Sequence, residues 1–270
     1  MSASTITDLN AIIDGITKLL SDFKLQTAAS ELVPRLQAAG HDPVLPLVLE
    51  VLELEAGDRR ERRTDRLRRA SRLPPGKTLA TLDDKQLPRP LVQQVRELAR
   101  GAFVERAINV LAFGLPGVGK THAACAIGHA LVEAGHSVLF APAYQLVQDL
   151  LVAKRALDLP RALKKLDVYE LLILDDIGYV QQSTDEVEVL FTLLAERYER
   201  RSVLITSNLV FSQWGRIFKD PMTTAAAIDR LVHHSVILEF AVPSYRSEAA
   251  RKKAAPRSKE ASAGEETHPR

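Results

Sequence analysis

Residues 108–123 read INVLAFGLPGVGKTHA. Glycine, lysine and threonine occur in this segment with the spacing G-x-x-x-x-G-K-S/T, which is typical of a loop that binds phosphate. An apolar run of strand length precedes the loop, and an alanine-rich segment suited to a helix follows it. We therefore predict a nucleotide site here. Its candidate residues are Gly114, Leu115, Pro116, Gly117, Val118, Gly119, Lys120, Thr121 and His122.

The residue types of this loop suit phosphate chemistry. Glycines have no Cβ, so successive backbone N–H groups can turn inward toward phosphate oxygens. The positive end of the helix that follows also favours an anion. Lys120 is expected to reach the β- and γ-phosphates, and the Thr121 hydroxyl is expected to ligate Mg²⁺. The alternative is a glycine-rich turn that binds nothing.

The composition is ordinary for a globular protein. The chain has 270 residues, of which 46% are hydrophobic and 26% are charged. No apolar run approaches the roughly 18 residues of a membrane span, and the first residues do not resemble a secretory signal. The one cysteine, Cys125, suits a reducing compartment and is expected to be a small buried side chain. These features predict a cytoplasmic protein without a membrane partner.

Residues 1–72 are predicted to form a small helical domain. Apolar residues recur at helical intervals over residues 6–25, and a second helical stretch covers residues 27–39, where Pro34 is expected to limit or kink the helix. A third pattern extends over residues 44–72, with an interruption expected near Gly57.

Arginine is concentrated at the end of this domain. Residues 59–72 contain eight arginines and two acidic residues. Because guanidinium is well suited to phosphate, this segment predicts DNA binding, mainly through the DNA backbone. A solvated charged face is the alternative. The candidate DNA-binding residues are Arg59, Arg60, Arg62, Arg63, Arg66, Arg68 and Arg69.

Beyond residue 106, apolar runs alternate with helical patterns, which indicates an α/β fold with a parallel sheet. We predict an ATPase domain over residues 73–242, in which residues 73–106 form a connector. Residues 243–270 are predicted to be a disordered basic and polar tail. The predicted strands cover residues 109–113, 137–140, 171–174, 202–206 and 235–240, with helices over residues 122–134, 143–157, 161–166, 185–200 and 223–233.

Polar residues follow two of these strands. Asp175 and Asp176 end the apolar run that begins at residue 171, and Asn208 follows the next strand along the chain. In phosphate-loop folds, a carboxylate in this position holds the Mg²⁺ that bridges the phosphates. We assign that role to Asp175, through a water molecule, and we assign Asp176 as the general base. Asn208 is the candidate for orienting the attacking water or contacting the γ-phosphate, and a strand-end turn without a catalytic role is the alternative.

The ordered combination of these motifs resembles the IstB family, the transposition helper ATPases of insertion sequences, which are related to DnaC helicase loaders within the AAA+ class. The resemblance extends from about residue 20 to residue 246. It is carried by residues 114–121, 171–179, 199–202, 206–208, 211–215 and 224–234, and by the early arginine-rich stretch.

The resemblance implies an AAA+ phosphate-loop fold, with a parallel sheet flanked by helices, preceded by a small all-helical domain. It implies a Mg²⁺-dependent ATPase that assembles as a homo-oligomer on duplex DNA, with ATP at the subunit interfaces, and delivers target DNA to a partner transposase. Lys120 and Thr121 match the Walker A motif, Asp175 and Asp176 match Walker B, and Asn208 matches sensor I. Many AAA+ proteins have Glu where this chain has Asp176, which predicts slow or partner-stimulated hydrolysis.

Arg230 stands where the related loaders carry an arginine finger, which completes the ATP site of a neighbouring subunit. Arg200 and Arg201 are rival candidates, and a surface ion pair of Arg230 with a nearby acid is the alternative. His233 and His234 are expected to be structural, because the sequence shows no metal-ligating residues in their company.

The loaders also carry an extra helical element after the second strand, and it touches DNA. The resemblance extends that role to residues 143–166, although a solvated basic face is an equal alternative. The candidate DNA-binding residues in this insertion are Lys154, Arg155, Arg161, Lys164 and Lys165.

Two other functions stay open from the sequence. A DnaC-like loader would have a replicative helicase as its partner. A nucleotide-gated DNA-binding switch would use ATP for assembly with little hydrolysis, and the short Asp176 side chain keeps this interpretation open.

Overall fold

The computed structural model describes residues 3–84, 86–179, 183–218 and 221–241. The chain divides into two compact units, residues 1–66 and 67–270. The tail predicted for residues 243–270 lies outside the described residues. Among the helices that are described, none combines the length and the apolar character that crossing a membrane requires.

The first unit is built from helices. They are α1 (Ala3–Asp22), α2 (Gln26–Ala38) and α3 (Leu45–Ala70), the last of which continues beyond residue 66. A single 3₁₀ turn, Asp42–Val44, precedes α3. The apolar faces of these helices meet in a small core, in which the fully buried side chains are Ile16, Leu20, Val33 and Leu45.

Two helix breaks predicted for this unit do not occur. Pro34 does not end α2, which continues to Ala38, and a kink at Pro34 stays a prediction. Gly57 does not interrupt α3 either. Glycine costs a helix only about 1 kcal/mol, and ion pairs one helical turn apart, such as Glu55–Arg59 at 2.6 Å, support the helix around Gly57.

The second unit contains a five-stranded parallel sheet in the order β2-β3-β4-β1-β5. The strands are β1 (Asn109–Gly114), β2 (Val138–Pro142), β3 (Leu171–Asp175), β4 (Ser202–Ser207) and β5 (Ser235–Phe240). All five strands lie within one or two residues of their predicted positions. The α/β fold predicted from the alternating pattern is confirmed.

Helices cover both faces of this sheet. They are α4 (Arg89–Leu98), α5 (Ala102–Glu105), α6 (Lys120–Glu133), α7 (Ala143–Arg155), α8 (Leu159–Asp167), α9 (Thr184–Arg197), α10 (Gly215–Phe218) and α11 (Pro221–Val232). The core has two layers, one on each face of the sheet, and successive side chains of β1 pack into opposite layers. Val110 and Ala112 pack with α4 and α6, whereas Leu111 and Phe113 pack with α7, α9 and α11. Burial on both faces explains why the strands are continuously apolar.

The segment predicted as a connector belongs to the core of the second unit. It contains a 3₁₀ turn, Leu79–Thr81, and the helices α4 and α5. Its buried side chains lie in the same layer as α6, and they include Leu82, Leu87, Leu91, Val95 and Leu98. This packing fixes the segment against the helix that follows the phosphate loop.

The helix α9 ends three residues earlier than predicted, for a backbone reason. Tyr198 takes an extended ψ of 127°, and Glu199 follows with a φ of +55°. The last helical residue, Arg197, is buried, and its guanidinium donates to the carbonyls of Leu166, Tyr169 and Ser202 at 2.9–3.0 Å. Burial lowers the pKa of Arg197 to about 10. No sequence pattern marks this arginine as structural.

Candidate nucleotide-binding site

The phosphate loop connects the end of β1 to the start of α6. Gly117 and Gly119 have φ values of +81° and +101°, a left-handed conformation that residues with a Cβ rarely adopt. At Gly114 the constraint is steric, because a Cβ there would lie 2.7 Å from the Cβ of Phe240 on β5. The glycine spacing therefore follows from the backbone of the loop and from its contact with a neighbouring strand.

Lys120 lies inside the loop. Its side chain is buried, and Nζ donates to the carbonyl oxygens of Gly114 at 2.8 Å and Leu115 at 2.9 Å. The ammonium group is thereby held at the wall of a cavity, beside the backbone that would surround a phosphate chain. This is the position from which a lysine serves as a point charge for phosphate.

Asp175 is the centre of a hydrogen-bonded group at the carboxyl ends of β3 and β4. Thr121 Oγ1 donates to Asp175 Oδ1 at 2.9 Å, and Thr206 Oγ1 donates to the same oxygen at 2.7 Å. Thr206 Oγ1 in turn accepts from the backbone N–H of Asp176 at 2.9 Å. The structure thus brings the predicted metal residues Thr121 and Asp175 together. It adds Thr206, to which sequence reasoning assigned no role.

Asp176 and Asn208 both line the cavity next to the loop. Asp176 has a φ of +59°, an unusual conformation that turns the chain sharply at the end of β3. Asn208 Oδ1 is buried and has no hydrogen-bond partner among the described residues. A Cβ at Gly178 would lie only 2.1 Å from that oxygen, so a glycine is needed for Asn208 to hold this position. Buried polar atoms without a partner are uncommon in native proteins.

The cavity has a volume of about 440 Å³. On one side it is lined by the loop, through Pro116, Gly117 and residues 119–122. On the other side it is lined by the predicted connector, through Lys77, Thr81, Leu82, Asp83 and Leu87. His122 joins the two sides, because its Nε2 lies 3.1 Å from Thr81 Oγ1. Sequence reasoning missed the connector side, since no local motif marks it.

Other loop candidates and the cysteine have structural positions. Leu115 is mostly exposed and Val118 is fully buried, and neither side chain lines the cavity. Cys125 on α6 is buried, as expected, and burial raises the pKa of its thiol to about 12. A thiol with such a pKa is not a nucleophile at neutral pH.

The arginine-finger candidates lie away from the cavity lining of their own chain. The Arg230 guanidinium stacks over the Phe191 ring, 5.0 Å from its centroid, and donates to the Ala226 carbonyl at 3.3 Å. Arg200 is exposed and pairs with Asp167 at 2.7 Å. A finger acts on a neighbouring subunit, so its role stays a prediction.

The candidate DNA-binding residues differ in how their charges are compensated. On α3, Arg59 pairs with Glu55 and stacks 4.0 Å over the Phe23 ring, and its hydrogen bond lowers the pKa of Glu55. In the insertion, Lys154 is half-buried between Asp185 at 2.8 Å and Glu188 at 2.7 Å. These two carboxylates make Lys154 the least available of the predicted contacts. The others in the insertion are exposed, namely Arg155, Arg161, Lys164 and Lys165.

The remaining α3 arginines are also on the surface. Arg62 lies 3.5 Å from Asp58, and Arg68 pairs with Glu133 at 2.8 Å. Side chains that are exposed along this helix include Arg60, Arg63, Arg66 and Arg69. Their contribution to DNA binding stays a prediction.

The expectation that His233 and His234 lack metal-ligating company is wrong. Glu199 Oε1 lies 3.8 Å from His233 Nδ1 and 3.8 Å from His234 Nε2. Glu199 comes from a turn 34 residues earlier, so only the folded chain brings these three side chains together.

Comparisons with known proteins agree with this geometry. Residues 18–254 match the family described as IstB-like ATP binding protein. An insertion-sequence ATP-binding protein of Sinorhizobium fredii is 43% identical over 86% of this chain and 79% of the relative. The ATP-binding protein of insertion sequence IS21 from Pseudomonas aeruginosa is 43% identical over 74% of this chain and 76% of the relative.

Solved structures with low sequence identity share the fold. The DnaC helicase loader superposes with a TM-score of 0.51 at 21% identity, over 60% of this chain and 96% of the loader. AMPPCP-bound DnaA from Aquifex aeolicus gives a TM-score of 0.54 at 17% identity, over 68% of this chain and 55% of DnaA. At these identities the likeness concerns the AAA+ fold alone.

Proposed function

The chain belongs to the IstB-like ATP-binding family, and from this premise we propose that it is a DNA-binding helper of transposition. It assembles on duplex DNA, hydrolyses ATP and delivers target DNA to a partner transposase. The observation that carries the proposal is the Asp175 carboxylate, which accepts hydrogen bonds from Thr121 and Thr206 at the mouth of the phosphate loop. A half-buried carboxylate beside a phosphate-loop threonine suits nucleoside-triphosphate chemistry.

Hydrolysis would use the residues around the cavity. When ATP binds, Lys120 Nζ would release the loop carbonyls and donate hydrogen bonds to the β- and γ-phosphate oxygens instead. A water molecule attacks the γ-phosphorus, the bond to the β–γ bridging oxygen breaks, and Asp176 accepts the water proton, which leaves ADP and phosphate. Asn208, which lines the cavity, orients that water through its side-chain amide.

The donor atoms next to the loop fit Mg²⁺. Thr121 Oγ1 and the Asp175 carboxylate are hard oxygen donors within 2.9 Å of each other. Asp175 acts through a water molecule, as Mg²⁺ usually retains part of its hydration shell. When bound, Mg²⁺ would neutralise phosphate charge.

In this proposal the two parts of the chain have different functions. Residues 1–72 bind DNA and support assembly, and residues 73–242 form the ATPase domain. The exposed arginines of α3 suit contacts with DNA phosphates. Assembly as a homo-oligomer would place Arg230 of one subunit at the ATP of the next.

A nucleotide-gated switch is the second candidate, and Asp176 is the observation that favours it. Its side chain is one methylene shorter than glutamate, and its left-handed backbone fixes the direction in which it leaves the strand. A carboxylate that stands too far from the attacking water would allow ATP-dependent assembly with little turnover.

ATP turnover with and without duplex DNA, at about 50 and 200 mM salt, tests both candidates alongside sizing of the DNA complex. The helper function predicts DNA-stimulated hydrolysis and ATP-dependent assembly that salt weakens steeply. Assembly without turnover would favour the switch. Absence of any DNA response with any nucleotide would contradict both. Capture of the partner transposase by the DNA-bound protein, but not of a replicative helicase, tests the delivery step.

A further inference from the structure

Three metal-ligating side chains meet at the sheet edge opposite the nucleotide site. Glu199 precedes β4, and His233 and His234 precede β5. Because the sheet is parallel, the amino ends of these strands lie at the edge opposite Asp175, which ends β3. The carboxylate oxygen and one nitrogen from each imidazole all lie within 4.8 Å of one another.

The donor set suits a borderline-soft divalent ion. Two imidazole nitrogens and one carboxylate oxygen are ligands that Zn²⁺ takes at about 2.0–2.1 Å, which brings tetrahedral donors to about 3.3 Å from one another. The present 3.8 Å separations from Glu199 Oε1 to the two histidines are slightly longer. The side chains are about half exposed, so small rotations are enough to close this difference and leave a fourth position for water.

The electrostatic surroundings also favour a cation. Glu199 lies just beyond the carboxyl end of α9, and His233 lies just beyond that of α11, so the negative ends of two helices face the cluster. The neighbouring cation Arg200 is turned toward Asp167 and Glu196.

The backbone holds the three ligands in place. The His234 carbonyl accepts from the N–H of Asn109 on β1 at 2.8 Å, and the His233 N–H donates to the Asp229 carbonyl at 3.0 Å. Glu199 has a φ of +55°, an infrequent conformation for a residue with a side chain. The Tyr198 hydroxyl lies 3.0 Å from His233 Nδ1, a contact that a metal ion bound at that nitrogen would replace.

We propose that Glu199, His233 and His234 form a binding site for a divalent transition metal of the Zn²⁺ class, separate from the nucleotide site. The bound ion would tie the turn after α9 to the end of α11. Since Arg230 lies on α11, one helical turn before His233, the ion would also restrain the helix that carries the proposed finger.

Calorimetric titration of the untagged, nucleotide-free full chain with Zn²⁺ tests this site. We expect one equivalent to bind and to raise the melting temperature. The variants E199Q and H233A/H234A should each weaken binding by at least about tenfold, the lower end of what even an outer-shell partner contributes. H41A, which removes an exposed histidine of the first unit, should bind Zn²⁺ as the unchanged chain does.

Retained binding of a fluorescent ATP analogue shows that the double variant is folded. The proposal is overturned if the unchanged chain binds no Zn²⁺, or if folded H233A/H234A binds Zn²⁺ with unchanged affinity. Neither result bears on ATP hydrolysis, so the helper function and the metal site fail independently.

Discussion

The loop around Lys120 and the arginine-rich half of α3 are both proposed to bind phosphate, but by opposite means. The loop relies on a few buried or half-buried groups, each fixed by hydrogen bonds at 2.7–2.9 Å. The helix relies on many exposed charges, several of which already pair with neighbours. The first arrangement recognises one phosphate chain in one geometry, whereas the second adds up small contributions along a polyanion. Single substitutions should therefore have large effects in the first region and small effects in the second.

The largest effect is expected at Arg230, which would complete the loop site of a neighbouring subunit. R230A should lower DNA-stimulated ATP turnover by about 10³-fold or more, because a finger stabilises charge that develops in the transition state. R200A should change turnover little, since Arg200 pairs with Asp167 and Glu196. Mixing R230A with K120A should restore part of the activity, because each variant retains the half-site that the other lacks. If R230A alone turns over ATP as fast as the unchanged chain, Arg230 is not an arginine finger.

Lys120 should show the next largest effect. K120A removes a buried charge from the loop and should lower turnover by about 10²–10³-fold, the range for losing one transition-state donor. K18A, at an exposed lysine of α1 to which no role is assigned, is the control and should keep turnover near that of the unchanged chain. Steady-state hydrolysis assays with saturating ATP measure both, and equal rates for the two variants would contradict the proposed role of the loop.

A substitution at Gly178 tests whether hydrolysis depends on the position of the Asn208 side chain. In G178A the new Cβ would lie 2.1 Å from Asn208 Oδ1, so the amide must move. A misplacement of about 1 Å can cost about 10² in rate, and we expect turnover to fall by about ten- to a hundredfold while nucleotide binding is retained. The matched control is G57A on α3, where a Cβ meets nothing within 4 Å. If G178A turns over ATP normally, Asn208 does not orient the water.

The smallest effects are expected for single charges on the DNA-binding surface. R60Q should weaken DNA binding only a few fold and lower the slope of log affinity against log salt by about 1, as expected for one lost phosphate contact. K154Q should leave the slope unchanged, because Lys154 is engaged by Asp185 and Glu188. Fluorescence anisotropy with duplex DNA over a range of salt concentrations measures both slopes. If K154Q lowers the slope and R60Q leaves it unchanged, the DNA contacts α7 instead of α3.

The sequence predicted those parts of the site that consecutive residues specify. The spacing from Gly114 to Thr121 reflects backbone angles and close contacts within one loop, so it is readable without the fold. Asp175 and Asn208 were also predictable, since the carboxyl ends of parallel strands meet at one edge of the sheet. The five strands were located for a related reason, because burial on both faces leaves continuous apolar runs.

The parts that were missed depend on contacts between distant segments. The connector side of the cavity carries no motif, and its residues acquire a role only through packing against α6. In the sequence Arg197 resembles any charged residue at a helix end. In the fold it is buried, and its guanidinium donates hydrogen bonds to backbone carbonyls. The cluster of Glu199 with His233 and His234 likewise exists only after β4 and β5 join the sheet. At Gly57 the prediction overestimated the cost of a glycine, because a single glycine does not destabilise a long helix enough to end it.

The burial of Cys125 makes the protein convenient for site-directed labelling. It is the one cysteine of the chain, and its buried thiol has a pKa of about 12. Maleimide reagents react with exposed thiolates, so they should leave the folded chain unmodified. A cysteine introduced on α3 or α11 would then carry a fluorophore at a single known position. Energy transfer between labelled copies could follow subunit assembly in real time without removal of the native Cys125.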